Sequence, residues 1–440
     1  MIKVLIPEDI PSHNKGEAAL FHGLKESLRP YGEFSLTLFT TNPELDLENY
    51  KKDAAIVDAR SVTPAHMLDG QAGKARKALN YTVFIGKHAL FAGLWKLLGE
   101  RAVRLMKGPV WTAYSKADLI LMSHDSFYTP LYHGIQALVF KTMGKPAIIY
   151  AATVKPASRD RRGLKSRLLD IFVAFSSRRL SSITLREDLS LTYLRELGLG
   201  NGGVPIRVHP DLAFLLPPIS GAEASDILSQ ERVPESRPLI GMAISQRKLD
   251  FAFPGQAMAD RRERALAPIT ELTDYLAGEL GATIVFVPHS IGPTPVLDDR
   301  IVADMIREKS RYKNRLHVLR REYTPSQLKG LAALLDMTVG TRLHFAIDAI
   351  CSGVPSLLIT HDGDLRCHGI IGNMLGLSEY VYNIDAIDAV SLKETVQRLW
   401  ENREPVRGHI EECIGEIKKE TYRHGENAVA VYRRSLQENP

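Results

Sequence analysis

The stretch Val339-Gly340-Thr341-Arg342-Leu343-His344-Phe345-Ala346 decides how this chain folds. An apolar run ends at Gly340 and a helical pattern opens within one or two residues. That is the strand-to-helix corner of a parallel α/β sheet. Reading backwards from the corner, residues 337–340 form a strand, 326–335 a helix, 316–319 a strand and 299–309 a helix. Before them stand a strand at 283–288, a helix at 267–280 with Pro268 in its first turn, and a strand at 239–245. Reading forwards, a helix at 343–352 leads to a strand at 356–359.

The same alternation occupies the first half of the chain. Residues 3–6 read as a buried strand, 7–16 as a loop and 17–28 as a helix. Strands follow at 34–39, 54–57, 119–122, 147–150 and 182–184, and a Lys-, Ala- and Leu-rich insertion at 60–110 interrupts them. Pro-Pro, Ser-Gly and Pro-Glu-Ser elements mark 217–238 as a linker. The expected organisation is a Rossmann-like domain at 1–216, the linker, and a second Rossmann-like domain at 239–400. A helical region at 401–440 follows, free to cross back over the first domain. The fold class is therefore α/β, two Rossmann-like domains facing across a cleft, which is the GT-B-like arrangement.

The composition is compatible with this and narrows the function. With 440 residues, 45% hydrophobic and 24% charged, the chain suits two globular cores rather than one. Its 56 basic and 51 acidic side chains leave a net charge of only +5. So mild an excess predicts no nucleic-acid partner and suits an anionic small substrate or an anionic membrane surface equally. Cys351, Cys367 and Cys413 are too few and too scattered for a disulfide framework or a zinc site, so a cytoplasmic location and no metal are expected. The opening apolar run is too short for a signal peptide, and no stretch is long enough to span a bilayer.

The chemistry concentrates at strand ends. In open α/β sheets ligands bind at the carboxyl ends of strands, where helix amides favour anions. Arg342 adds a fork of donors there, Leu343 opens the helix, and His344 is a side chain that exchanges protons near neutral pH. The alternative is an Arg342 paired with an acidic neighbour and a His344 that caps the helix. In the first half, Thr184-Leu185-Arg186-Glu187-Asp188-Leu189-Ser190 delivers Arg186 in the same manner, with Asp188 or Ser190 as the helix cap. An arginine–aspartate clamp holding the loop is the competing reading.

These segments resemble the polysaccharide pyruvyl transferase family. Arg186-Glu187-Asp188-Leu189-Ser190 is similar to its Arg-X-Asp-X-Ser motif. Gly340-Thr341-Arg342-Leu343-His344 and Gly353-Val354-Pro355 are similar to its later Gly-X-Arg-Leu-His and Gly-X-Pro. His209-Pro210-Asp211-Leu212-Ala213-Phe214 is similar to the stretch closing its first domain, and Asn14-Lys15-Gly16-Glu17 to an Asn-X-Gly-Asp loop. The resemblance implies phosphoenolpyruvate as co-substrate with no further cofactor, and a saccharide acceptor, lipid- or nucleotide-linked. It implies Arg186, Arg342 and Leu343 as donor-binding residues and His344 as the general acid.

The chain departs from the family at Ser123-His124-Asp125-Ser126 and at His361-Asp362-Gly363-Asp364-Leu365-Arg366. His124 and Asp125 are an acceptor site, a dyad or a self-bonded loop. Arg366 and His368 are stand-ins for a lysine found in the family. Asn14, Lys155, Ser245, Arg247 and His289 are further ligand or acceptor candidates, each at a strand end or in a loop beside one. Basic and apolar residues are interleaved through 83–107, so that helix packs on the core, forms an oligomer contact or lies on an anionic membrane. Arg159, Arg161, Arg162, Lys165 and Arg167 form a second basic cluster, read as a solvated face. Two other functions stay open: a glycosyltransferase using a nucleotide sugar, and a non-catalytic protein that binds anionic glycans. Against the first, Ala243-Ile244-Ser245-Gln246-Arg247 stands where a Gly-rich diphosphate loop would lie.

Overall fold

The computed structural model of the protein describes residues 1–64, 74–122, 130–156, 163–200 and 202–438. The chain divides into two compact units. The first comprises Met1–Ser12, Leu24–His209 and Tyr422–Pro440, and the second His13–Gly23 and Pro210–Thr421.

In the first unit, β1 (Ile2–Asp9), β2 (Phe34–Thr40), β3 (Ala55–Asp58), β4 (Leu119–Met122), β5 (Ala147–Ala152), β6 (Ser182–Leu185) and β7 (Ile206–Val208) form one parallel sheet ordered β3-β2-β1-β4-β5-β6-β7. Every residue of β4, β5 and β6 is buried. Strands covered on both faces have no solvent side, so β4 and β5 read as unbroken apolar runs, while β6 buries Ser182 and Thr184 in hydrogen bonds. In the second unit, β8 (Leu239–Ala243), β9 (Thr283–Phe286), β10 (Leu316–Val318), β11 (Met337–Gly340), β12 (Ser356–Thr360) and β13 (Val381–Asn383) are ordered β10-β9-β8-β11-β12-β13. Both sheets reverse direction beside their first strand, the doubly wound pattern that places ligands at strand ends.

Several expected elements fall elsewhere. The 217–238 stretch carries the helix Gly221–Gln230, whose Ser220–Glu223 capping box starts it and whose Ala224 and Ile227 are buried in the second core. Flanking prolines hid a short helix there. Pro268 lies inside the helix Met258–Gly278 rather than in its first turn. The charged start of that helix has no apolar period to announce it. Insertion residues form the helices Lys74–Leu98, Arg101–Met106 and Pro109–Lys116. The C-terminal pattern breaks into Arg403–Thr421 and Arg423–Glu438, and the latter lies within the first unit. Strands β7 and β13 were not legible, being three residues each with little apolar character.

Candidate functional site

The strand-to-helix corner stands where β11 pairs with β8. Gly340 faces Ala243 in parallel register, and a Cβ on Gly340 would sit 2.7 Å from the Ala243 carbonyl oxygen. Only glycine lets the two strand ends close to this distance. Beyond them the Ser245 amide donates to Thr341 Oγ1 at 2.7 Å, which pins the loop after β8 to the corner. Arg342 then caps the helix Leu343–Ile350 with extended backbone, and His344 lies in the first turn.

Arg342 is engaged. Its Nε and Nη2 donate to the two oxygens of Asp299 at 3.0 and 2.5 Å, and the same carboxylate accepts the amides of His289 and Ser290 at 3.0 and 3.1 Å. Asp299 is almost fully buried, whereas the arginine side chain keeps 20% of its surface exposed. A buried carboxylate this fully satisfied fixes the guanidinium plane rather than competing for every donor. Nη1 takes no part in the pair. The acidic neighbour foreseen as an alternative to ligand binding therefore exists, and it orients the arginine.

His344 is mostly buried. Its Nε2 lies 4.0 Å from Oδ1 of Asp211, a carboxylate that also accepts the Ala213 amide at 2.9 Å. On the other side, a Cβ on Gly16 would overlap the ring at Nδ1. The loop bearing Gly16 is stitched to the loop after β9. The Lys15 amide donates to the His289 carbonyl at 2.8 Å, and Asn14 bridges Ser290. Asn14 Nδ2 donates to Glu17 at 2.6 Å, and the buried Lys15 ammonium donates to Glu322 at 2.5 Å. Residues from five distant stretches thus converge in the second unit: 14–16, 211, 289–290, 299 and 342–344.

The remaining candidates spread around this centre. His289 is buried, with Nδ1 3.1 Å from the Val287 carbonyl and Nε2 3.4 Å from Asp348. Ser245 is buried and Arg247 is exposed. Arg366 pairs with Asp364 through two bonds of 2.8 and 2.9 Å, and Lys248 joins the same carboxylate. Burial opposes the charge on Asp364, yet Arg366 and Lys248 hold its carboxyl well below the usual range. Arg366, Lys248 and Asp364 thus form a triad.

Arg186 belongs to the first unit. Its side chain is fully buried at the end of β6, where Nε donates to Thr153 Oγ1 at 3.0 Å. Beside it Glu187, not Asp188 or Ser190, caps the helix Asp188–Glu196. It accepts the Ser190 amide at 2.8 Å and the Ser190 hydroxyl. Burial pushes the Glu187 carboxyl up, and its bonds to Ser190 oppose that. Lys155 is half-buried in the same unit. His124 and Asp125, like Arg159, Arg161 and Arg162, lie outside the described residues. Among the described residues, no group of three or more His, Cys, Asp and Glu side chains could hold a metal ion.

Asp299, Asp211, Lys15 and Glu322 were missed as site residues. Asp211 and Lys15 stand inside stretches that resemble family motifs, which was the available signal. Nothing in the sequence links Asp299 to an arginine 43 residues later.

The sequence model described as polysaccharide pyruvyl transferase matches residues 14–363. The amylovoran biosynthesis protein AmsJ of Erwinia amylovora is 22% identical over 450 residues, covering 94% of this chain and 95% of its own. Among solved structures, Arabidopsis thaliana UGT89C1 superposes with a TM-score of 0.57 at 14% identity, covering 98% of this chain and 99% of its own. The S. aureus MnaA–UDP co-structure gives 0.58 at 11% identity, covering 100% and 99%. At such identities these two structures speak for the fold alone.

Proposed function

This chain belongs to the polysaccharide pyruvyl transferase family, and we propose that it transfers the pyruvyl group of phosphoenolpyruvate to two hydroxyls of a saccharide, forming a pyruvate ketal and releasing phosphate. One observation carries the reading: a single corner presents both an oriented guanidinium, Arg342, and an imidazole, His344, with Asp299 and Asp211 behind them. Phosphoenolpyruvate carries a phosphate and a carboxylate on one small frame. Arg342, at the amide-rich start of a helix, suits one of these anions, and Arg186 is the proposed second cation. The amylovoran biosynthesis relative supports an acceptor belonging to an exported polysaccharide.

In the proposed reaction, protonated His344 gives its proton to the methylene carbon while one sugar hydroxyl adds to the neighbouring carbon. The second hydroxyl then displaces phosphate and closes the ring. One hydroxyl proton restores the imidazolium and the other leaves with phosphate, so the donor and two hydroxyls become ketal and phosphate. Positioned acid catalysis of this kind contributes about 10²–10⁴-fold.

Calorimetric titration with phosphoenolpyruvate, with uridine and guanosine diphosphates in parallel, tests the reading. Saturable phosphoenolpyruvate binding is expected, weakened by about 1.5–3 kcal/mol in Arg342→Ala and in Arg186→Ala. His344→Ala should keep the affinity and abolish acceptor-dependent phosphate release. Binding of a nucleoside diphosphate alone would move the chain to the glycosyltransferases. Unchanged turnover in His344→Ala would remove that residue from the mechanism.

A further inference from the structure

The helix Lys74–Leu98 is apolar on two faces, and only one of them is packed. Inward, Phe84, His88 and Phe91 enter the first core, where Phe91 stacks on Trp111 with ring centroids 4.5 Å apart. Outward, Leu79, Val83, Leu90 and Leu97 follow a second helical stripe and stay exposed, Leu97 by 81%. A helix with a second apolar stripe that meets solvent is not explained by its own core.

The stripe is not alone. The helix Pro130–Thr142 packs against Lys74–Leu98 on one side and Leu164–Ser177 on the other. Its Leu131, Ile135 and Leu138 are partly exposed at the same helical spacing. Leu164–Ser177 presents Leu164, Leu168, Ile171 and Phe175, with Leu164 at 74% and Ile171 at 64% exposure. Three adjacent helices of one unit therefore turn apolar stripes outward. This is far more than the scattered leucines of an ordinary surface.

The charge on and beside these helices is predominantly basic, Glu100 and Asp170 being acidic exceptions. No Asp or Glu occurs in Lys74–Leu98, which carries Lys74, Arg76, Lys77, Lys87 and Lys96. Just beyond its C-terminus, Arg101, Arg104 and Lys116, together with Glu100 and Leu98, line an open cavity of about 570 Å³. Lys165 and Arg167 flank the stripe of the third helix. No helix among the described residues is long and apolar enough to cross a membrane. Apolar stripes rimmed by cations match a bilayer interface: leucines enter the acyl boundary and the basic side chains meet anionic headgroups.

We propose that this three-helix face of the first unit docks on an anionic lipid bilayer, with the cavity lined by Arg101, Arg104 and Lys116 receiving headgroup phosphate. The inference does not depend on the donor or the reaction, because its test reads binding alone. The full chain is sedimented with sucrose-loaded vesicles of phosphatidylcholine, or of the same lipid with about a third phosphatidylglycerol. At least tenfold more bound protein is expected on the anionic vesicles, falling as salt is raised, roughly fivefold less for each basic side chain removed near the surface. Leu90→Glu/Leu97→Glu and Leu168→Glu/Ile171→Glu should abolish binding. Their substituted side chains are exposed, so an unchanged melting temperature verifies that they fold. Equal affinity for both vesicles, or no binding to either, overturns the proposal. So does a dimer in sedimentation velocity that the same leucine variants dissociate, since the face would then be covered by a second copy.

Discussion

At the scale of single residues, the site depends on groups that hold other groups. Gly16 has no side chain because the His344 ring occupies the space a Cβ would take. Gly16→Ala is therefore expected to displace the imidazole, cutting kcat by about 10²-fold or more while donor affinity holds. A fall in affinity with unchanged kcat would contradict that assignment. Asp211 acts through His344: Asp211→Asn keeps an oxygen for the Ala213 amide but removes the charge 4.0 Å from Nε2. The basic limb of the pH–rate profile, where a general acid loses its proton, should then move to lower pH, because the imidazolium loses a stabilising neighbour. A purely structural Asp211 would lower the melting temperature and leave that limb in place. Arg342, Leu343 and His344 were legible because a strand, a glycine and a helix announce their corner. Their partners were not. Asp299 looks from the sequence like any acidic residue opening a helix, and only the sheet order brings it beneath the guanidinium.

At the scale of elements, periodicity located most strands and failed where apolar spacing was short or charged. The helix Gly221–Gln230 is an instance. Its capping box, Ser220 with Glu223, is the signature of a start, yet prolines on both sides suggested a linker. Ser220→Ala should cost about 1 kcal/mol in urea unfolding, read as a lower midpoint with unchanged slope. A variant as stable as the parent would mean that burial of Ala224 and Ile227 alone maintains the helix. Lys74–Leu98 shows the opposite limit. Its sequence announces a helix plainly, but two apolar faces leave periodicity unable to say which one packs. The core resolves it, because Phe91 meets the aromatic rings of Trp111 and Tyr114 while Phe84 stacks on Tyr132.

At the scale of the whole molecule, two buried histidines tie the stability of the first unit to pH. Burial holds His88 down at about 4 from an ordinary 6.5, with the Phe84 carbonyl opposing and Lys87 reinforcing the shift. Burial, then Arg423 and Arg207, holds His209 down at about 4 as well. Both belong to the first unit. The unfolded chain protonates these rings near pH 6.5 and the folded chain only near 4. The stability they contribute is therefore complete above 6.5 and lost as pH falls toward 4. Followed by tryptophan emission, unfolding of the first unit should become easier across that window, and His88→Gln should flatten the dependence while lowering stability at neutral pH. A parent protein equally stable at both ends would refute the burial argument.

The sequence by itself determined the two alternating α/β halves, the buried parallel strands and the corner bearing Arg342 and His344. Each of these follows from side-chain spacing along a few neighbouring residues. Tertiary structure alone decided that Asp299 orients Arg342, that Gly16 and Asp211 flank His344, that Lys248 reaches Asp364, and which face of Lys74–Leu98 stays uncovered. Such pairings join positions tens to hundreds of residues apart. Strand order and helix packing choose those partners, and no local period encodes them.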